Sequence, residues 1–312
     1  MQGCAGRSNG GRVKVVFCGT GWFPIVDAIR ARLPEGVTLH VRDRDRPLAE
    51  QIEDADVVLP SNCLIDAGAI GAARRLVLIQ QPAVGVEGID LGAARARGVP
   101  VCNAPGTNGQ SVAEAALLLM LAVARRLPRA QRAFAERDIG APMGVELAGK
   151  TLGLIGVGRS GAALGRMAEA IGMRVISVRS SSSRGDLLEM VGRADVVSIH
   201  CPLTAETRGM VDEEVIGRMP RGAILVNCAR GAIVDRGALE GALGRGHLGG
   251  VGLDVFWEEP WDPGEEIYRR EDVVVLPHVA GSTGEAFGRV AEIVAGNVRR
   301  VIAGEALMNR IA

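Results

Sequence analysis

Short apolar runs alternate with amphipathic segments along the whole chain. Before residue 105 the pattern predicts strands at 13–17, 37–41, 57–59, 76–80 and 99–102, with helices at about 25–33, 69–73 and 91–97. The runs are rich in β-branched residues and too short for buried helices. Strands of this kind, separated by helices, are typical of a parallel sheet that is covered on both faces.

The second part of the chain repeats the alternation more clearly. Strands are predicted at 151–155, 174–178, 196–200, 224–227, 251–254 and 273–276, and helices at 112–127, after residue 161 to about 171, and at 283–302. The segment 128–142 is polar, and we expect it to be irregular. A cluster of turn residues at 105–109 suggests a domain boundary near 103–111. The pattern predicts an α/β protein with two doubly wound parallel-sheet domains of the Rossmann or flavodoxin-like type.

The composition excludes several chemistries. Of the 36 basic residues only Lys14 and Lys150 are lysines, and Tyr268 is the single tyrosine. Neither lysine stands in a Gly-Lys-Ser/Thr P-loop, and both border predicted strands, which does not suit a Schiff-base lysine. A tyrosine–lysine catalytic pair cannot be built either. Chemistry must therefore use Arg, His, Asp, Glu, Ser or Cys.

Net charge, apolar runs and cysteine spacing bear on possible partners and on the location of the protein. The net charge is zero, which argues against a nucleic-acid partner. The longest apolar run, 115–124, is too short to span a membrane, and the first dozen residues are Gly-rich, without the apolar core of a signal peptide, and expected to be disordered. The six cysteines are scattered without a C-x-x-C pair, which predicts reduced thiols in the cytoplasm and no metal site.

A glycine-rich turn after the strand at 151–155 is the strongest local signal. Gly156, Gly158 and Gly161 form G-x-G-x-x-G between a strand and a helix, whose N-terminus would offer N–H donors and the positive end of its dipole to a pyrophosphate. The earlier Gly19-x-Gly21 lacks the third glycine and is interpreted as an ordinary turn. The sequence therefore predicts a dinucleotide site at the second turn.

The residues after the next strand bear on which dinucleotide binds. An acidic residue that would bind the ribose hydroxyls is absent there, and Arg179 and Ser180 stand in its place, followed by further serines and Arg184. A guanidinium suits a 2′-phosphate, so we predict a preference for NADP(H), with NAD(H) possible in its place. The alternative is a solvated loop.

Three polar motifs follow three strands of the second block. "VNCARGAIVD", "GLDVFWEEP" and "VVLPHVAGST", together with "GKTLGLIGVGRSG" and "ADVVSIHCPLTAETRGM", closely resemble motifs of the D-isomer-specific 2-hydroxyacid dehydrogenase family. With "VGVEGIDLGAARARGVPVCNAPG" the resemblance covers nearly all of the chain after residue 12. It implies a discontinuous substrate domain (1–104 and 282–312), a dinucleotide-binding domain (105–281), a cleft between them, and a homodimer with the helix near Val112 in its interface.

The resemblance also assigns roles to matching positions. Arg230 would bind the substrate carboxylate and polarise the carbonyl, and His278 would act as general acid in reduction and as base in oxidation. Glu259 would pair with His278 and favour the protonated ring; Glu258 is its neighbouring competitor, and His200 is the main rival among the histidines. Asp254 would lie near the nicotinamide. Arg159 and Ser160 would meet the pyrophosphate, and Val84 and Gly85 would offer backbone N–H groups to the substrate. Further cofactor contacts are expected at Pro202, Thr207, Cys228 and Gly281.

The substrate follows less directly from the sequence. Glu259 argues against formate oxidation, because formate dehydrogenases of this superfamily lack such a carboxylate. Phosphoglycerate dehydrogenases usually carry arginine in the loop after the third strand, whereas residues 59–63 contain no basic residue, and we expect no regulatory domain after Ala312. Glyoxylate or hydroxypyruvate is therefore expected. The alternatives are D-3-phosphoglycerate dehydrogenase and, from another class, a nucleotide-sensing protein resembling the C-terminal-binding corepressors.

Overall fold

The computed structural model describes residues 12–312 and divides the chain into two compact units. The first unit runs to Thr107 and resumes at Ser282, and the second spans Asn108–Gly281. The sequence prediction put the first boundary three residues earlier. The expected disorder of the first dozen residues and Cys4 both concern a segment that lies, except for Arg12, outside the described residues.

The first unit contains a five-stranded parallel sheet in the order β2-β1-β3-β4-β5. Val290, Val294 and Val298 on one face of the last helix pack with Val15 and Phe17 of the central strand, which explains why this helix returns to the first unit. The strands are β1 (Val13–Phe17), β2 (Val37–Val41), β3 (Val57–Leu59), β4 (Leu78–Gln80) and β5 (Val101–Cys102), and the helices are α1 (Pro24–Arg30), α2 (Leu48–Ile52), α3 (Ala67–Ala72), α4 (Leu91–Ala96) and α12 (Gly284–Ala303).

The second unit contains a six-stranded parallel sheet in the order β11-β10-β9-β8-β6-β7. The chain order reverses between β6 and β8, and ligands of open α/β sheets bind at the carboxyl ends of the strands at such a reversal. The strands are β6 (Thr151–Ile155), β7 (Arg174–Val178), β8 (Val196–Ile199), β9 (Ile224–Asn227), β10 (Gly250–Leu253) and β11 (Val273–Val275), and the helices are α5 (Gly109–Ala124), α6 (Leu127–Glu136), α7 (Arg159–Ala170), α8 (Arg184–Val191), α9 (Glu213–Arg218), α10 (Arg236–Gly244) and α11 (Glu266–Arg269).

The predicted fold class is confirmed, with two parallel sheets and alternating helices. The prediction that 128–142 is irregular is wrong in its first part, because α6 covers Leu127–Glu136. Pro128 stands in the first turn, where a missing N–H has no intrahelical acceptor to lose. Arg126 adopts a φ of 52° and separates α6 from α5, which therefore ends before residue 127. Within α6 only Ala133 is buried, and this explains the polar composition.

Candidate active site

Arg230, Glu259 and His278 come from loops that follow three neighbouring strands. The loops start after β9, β10 and β11, which pair in parallel and in this order. Because the carboxyl ends of parallel strands lie along one edge of the sheet, these loops meet there. All three residues belong to the second unit.

The loop that carries Arg230 is held by Asn227, the last residue of β9, and by close packing against the loop that follows β10. Asn227, buried at the end of β9, accepts a hydrogen bond from the Ala229 N–H (3.0 Å) and donates one to the Arg230 carbonyl (2.9 Å). A Cβ on Gly231 would lie 2.1 Å from the Phe256 carbonyl oxygen, so only glycine allows the two loops to pack this closely. The guanidinium of Arg230, which also donates to the Ala229 carbonyl, therefore projects from a fixed backbone.

Glu259 and His278 form a hydrogen-bonded ion pair. Oε2 of Glu259 lies 2.7 Å from Nδ1 of His278, and Oε1 accepts the Phe256 N–H at 3.1 Å. His278 adopts a φ of 53°, a left-handed conformation that is uncommon outside glycine and clusters at functional sites. The contact with Glu259 occupies Nδ1 and fixes the orientation of the ring. Both side chains are about one third exposed.

The pKa of Glu259 is lowered although the group is partly buried. Burial by itself raises the pKa, but the hydrogen bond to His278, the charge of that ring, the Phe256 N–H and the positive charge of Arg230 together outweigh it. The contribution of Arg230 shows that the guanidinium acts on the same carboxylate electrostatically. Glu259 is therefore held as the anion in this site.

Asp254 holds the segment after His278 rather than presenting its carboxylate to solvent. Its side chain is 1% exposed and accepts hydrogen bonds from the Val279 N–H (2.8 Å) and the Ala280 N–H (3.0 and 3.1 Å). Burial raises the pKa of Asp254 to about 6, although both N–H groups and the charge of His278 lower it. Its place beside the nicotinamide stays a prediction, and its observed contacts are those of a residue that positions His278.

The glycine-rich turn has the form that a dinucleotide requires. A Cβ on Gly156 would lie 2.9 Å from backbone atoms of His200 and Cys201, and one on Gly161 would lie 2.2 Å from the Gly156 carbonyl oxygen. Gly158, by contrast, faces open space, so a phosphate can approach its backbone. The first N–H groups of α7, including those of Arg159 and Ser160, point out of the helix at this end. These residues fit a dinucleotide.

The rival histidine, His200, belongs to this turn and not to the acid–base pair. Its ring hydrogen-bonds the hydroxyl groups of Ser160 (3.1 Å) and Ser198 (2.9 Å). Burial lowers the pKa of His200 to about 4, so the ring is neutral at physiological pH. His200 is therefore bonded to two serine hydroxyl groups, whereas His278 is bonded to a carboxylate.

The two arginines that the sequence offered for a 2′-phosphate differ in their surroundings. Arg179 directly follows β7, and Arg184 is the first residue of α8. Arg184 is bound to Asp212 and Glu214 and donates to the Met210 carbonyl. The exposed guanidinium of Arg179 has no hydrogen-bond or ion-pair partner among residues 12–312. Ser180 is exposed directly after it. Of the two arginines, Arg179 is therefore the one available to a ligand.

The remaining predicted cofactor residues lie in turns of the second unit. Thr207 donates to the Pro202 carbonyl at 2.7 Å and closes the loop after β8. Cys228 is buried directly after β9, and burial raises the pKa of its thiol. A Cβ on Gly281 would lie 2.7 Å from the Asn108 amide nitrogen. Their contacts to a cofactor stay predictions.

Val84 and Gly85 belong to the first unit, in the loop after β4. The side chain of Asn103 donates to the Val84 carbonyl and that of Gln81 donates to the Gly85 carbonyl, both at 2.8 Å. These bonds hold the loop through its carbonyl groups and leave the backbone N–H groups that the sequence assigned to a substrate. Arg42, which sequence reasoning missed, places Nη1 2.9 Å from the Cys63 Sγ. Its guanidinium reaches the loop after β3 from the end of β2, although β1 lies between these two strands in the sheet, and spacing along the chain does not reveal this contact.

Metal-binding clusters and membrane-spanning helices are both absent from the part of the chain that the structure describes. Residues 12–312 contain no cluster of three or more His, Cys, Asp or Glu side chains arranged to hold a metal ion. In the same residues no helix combines the length and apolar character needed to cross a membrane. The five cysteines that the structure describes are all free.

The geometry agrees with comparisons to known proteins. The family model described as the D-isomer specific 2-hydroxyacid dehydrogenase, NAD binding domain, matches residues 117–280, more than half of the chain. The chain therefore belongs to the D-isomer specific 2-hydroxyacid dehydrogenase family.

Individual relatives carry two different names. The chain is 39% identical over 275 residues to a glyoxylate reductase of Korarchaeum cryptofilum, covering 83% of each protein. It is 38% identical over 275 residues to a D-3-phosphoglycerate dehydrogenase of Mycobacterium tuberculosis, covering 84% of this chain and 52% of the relative. The chain thus spans about half the length of the phosphoglycerate dehydrogenases of this kind. A crystal structure of the TT0316 protein from Thermus thermophilus matches with a TM-score of 0.84 and 36% identity, over 96% of this chain and 100% of the other.

Proposed function

We propose that the protein is an oxidoreductase that interconverts small 2-oxo acids and D-2-hydroxy acids with a nicotinamide cofactor. The observation that carries this proposal is the Glu259–His278 pair, set in loops adjacent to the one that carries Arg230. A proton donor and a guanidinium at one edge of the sheet are what reduction of a 2-oxo acid requires.

Each residue of this set has a distinct task. Arg230 binds the substrate carboxylate through its planar fork and draws electron density from the adjacent carbonyl. In reduction, His278 delivers the proton from Nε2 to the carbonyl oxygen, and in oxidation it removes the proton from the hydroxyl. Glu259 holds the ring through Nδ1 and stabilises the protonated form. A bound nicotinamide cofactor supplies or accepts the hydride.

The preferred cofactor of this proposal is NADP(H). Gly158, Arg159 and Ser160 would hold the pyrophosphate, and Arg179 with Ser180 would meet the 2′-phosphate. The support is the contrast between two nearby arginines: Arg184, the first residue of α8, is paired with two carboxylates, and Arg179 has no such partner among the described residues. NAD(H) is the alternative.

The preferred substrate is glyoxylate or hydroxypyruvate. The loop after β3 carries no basic residue of its own to bind a phosphate, and this favours an uncharged substrate tail. The second candidate, D-3-phosphoglycerate dehydrogenase activity, is favoured by Arg42, whose guanidinium contacts Cys63 in that loop. A substrate panel distinguishes the two.

The second unit presents an apolar surface that we assign to a homodimer interface. Leu118 and Leu121 on α5, Phe134 on α6, and Ile139 and Met143 after it are exposed, the last three to 86% or more. Large apolar side chains exposed to this extent often mark a protein–protein interaction site. A second copy of the chain is the proposed partner.

The experiment that tests the proposed function measures NADPH and NADH oxidation with a panel of 2-oxo acids. We expect the highest kcat/KM with glyoxylate or hydroxypyruvate and NADPH. Phosphohydroxypyruvate as the best substrate would replace the first candidate with the second. Cofactor binding without turnover of any 2-oxo acid would instead support the nucleotide-sensing alternative.

A further inference from the structure

His200 connects two segments that border the glycine-rich turn. Its Nε2 lies 2.9 Å from the Ser198 hydroxyl and its Nδ1 lies 3.1 Å from the Ser160 hydroxyl. Its backbone N–H donates to the Ile155 carbonyl at 2.8 Å, at the end of β6. The ring therefore bridges β8 to the first turn of α7, at the point where the strand order of the sheet reverses.

The hydrogen bonds determine which ring nitrogen carries the proton. Ser198 is fully buried, and His200 Nε2 is the partner of its hydroxyl among residues 12–312. If Nε2 carried the proton, the Ser198 O–H would have no acceptor, which is costly for a buried group. Ser198 therefore donates to Nε2. The neutral ring then carries its proton on Nδ1 and donates to the Ser160 oxygen.

This arrangement leaves the proton of the Ser160 hydroxyl for another acceptor. Ser160 is the second residue of α7, beside Gly158, whose backbone faces open space. With the opposite tautomer, Ser160 would donate to the ring and turn a lone pair toward any anion bound at the helix end. The tautomer of His200 thus decides whether Ser160 attracts or repels a phosphate oxygen.

We propose that His200 is a positioning residue that makes Ser160 a hydroxyl donor to the pyrophosphate of the bound dinucleotide. The inference rests on the nucleotide site of the proposed function and adds a residue that acts without touching the ligand. A hydrogen bond from a hydroxyl to a charged acceptor contributes about a tenfold gain in affinity.

Two substitutions of His200 that match each other in shape separate the effect of the hydrogen-bond donor from the effect of packing. In His200→Asn the amide nitrogen takes the place of Nδ1 and can still donate to Ser160, whereas His200→Leu has the same shape without a donor. ADP, which contains the pyrophosphate, is titrated into each variant by calorimetry. We expect wild-type affinity within about threefold for His200→Asn and about tenfold weaker binding for His200→Leu and for Ser160→Ala.

A double variant and a spectroscopic readout complete the test. Ser160→Ala/His200→Leu should bind ADP no more weakly than Ser160→Ala, because the histidine acts through the serine. Nitrogen NMR of wild type should show the proton on Nδ1 of His200. Additive losses in the double variant, equal affinities of the Asn and Leu variants, or a proton on Nε2 would each overturn the inference.

The ADP titration is independent of turnover. A protein that binds ADP through this pair but reduces no 2-oxo acid would support the inference and contradict only the proposed reaction. A wild-type protein that does not bind ADP would contradict the inference and the nucleotide site together. If His200→Leu does not fold, the nitrogen NMR of the wild-type protein still decides the tautomer, and a proton on Nε2 overturns the inference.

Discussion

Oε2 of Glu259 lies 2.7 Å from Nδ1 of His278, and this contact joins the loops that follow two neighbouring strands. Phe256 N–H holds the other carboxylate oxygen, so the carboxylate can neither rotate nor withdraw without losing a bond. The pair therefore has a fixed orientation before any ligand binds. Such preorganisation is what acid–base catalysis requires of its donor.

Removal of the proposed proton donor, His278, should abolish most of the activity. We expect His278→Ala to reduce kcat for reduction of the best 2-oxo acid by about 10²–10⁴-fold, because positioned proton transfer contributes that much. Glu259→Gln should also reduce kcat, since it removes the negative charge that stabilises the protonated ring. Cofactor affinity, measured by fluorescence titration, serves as the control and should change little. A His278→Ala variant with near-normal kcat would exclude the assigned role.

Arg179 and Arg184 form a matched pair for testing cofactor preference. Arg179→Ala should reduce kcat/KM for NADPH by about 10–100-fold, the effect of losing a charge-assisted hydrogen bond, and should leave kcat/KM for NADH nearly unchanged. Arg184→Ala, five residues further along the chain at the start of α8, should leave the ratio unchanged because Asp212 and Glu214 already bind that guanidinium. Steady-state kinetics with both cofactors gives the ratio. An equal loss with NADH and NADPH would count against a 2′-phosphate contact.

The strands were more predictable than the helices for a physical reason. The strands at 13–17, 37–41, 57–59, 151–155, 174–178 and 224–227 have the predicted bounds, because short runs rich in β-branched residues give a clear strand signal whether they are buried, as β6 is, or lie at the edge of a sheet, as β2 and β7 do. Helices such as α8 and α10 were not predicted, since short Arg- and Gly-containing segments carry a weak amphipathic signal.

In the candidate site, residues in local sequence motifs could be predicted, and contacts between distant parts of the chain could not. Arg230, Glu259 and His278 were predicted from motifs that each lie within ten residues of chain. The contact of His200 with Ser160 joins residues 40 positions apart, and that of Arg42 with Cys63 joins residues 21 apart. Such contacts depend on the order of the strands in the sheet, and spacing along the sequence does not contain that information.

Gly231 should tolerate no side chain. Gly231→Ala places a Cβ 2.1 Å from the Phe256 carbonyl oxygen, so the loops must separate, and we expect a loss of about 1–3 kcal/mol in the free energy of unfolding. The shift of Arg230 should lower kcat/KM as well. Gly217→Ala on α9, where a Cβ meets nothing within 4 Å, is the matched control and should be neutral or stabilising. Urea denaturation measures both, and equal stabilities would contradict the steric argument.

The apolar surface on α5 and α6 should determine the oligomeric state. Replacing Phe134 and Ile139, which are 87% and 99% exposed, by glutamate places charges in the proposed interface and should convert the proposed dimer to a monomer. The substitutions bury no charge in the monomer, so the circular dichroism spectrum should be retained. Light scattering after size exclusion measures the mass. A monomeric wild type, or a double variant that remains dimeric, would contradict the interface.

His200 should make the protein less stable in acid. Its pKa in the folded protein is about 4, below its ordinary value of 6.5, so between these pH values the unfolded chain binds a proton that the folded protein does not. The contribution is fully present above pH 6.5 and is lost as the pH falls to 4, with a limit of roughly 3 kcal/mol. His200→Asn cannot titrate, so its stability relative to wild type should improve by up to that amount between pH 7 and pH 4. Urea denaturation across this range measures the difference, with the exposed His40→Asn as control. Parallel pH profiles for wild type and His200→Asn would show that burial does not depress the titration of this ring.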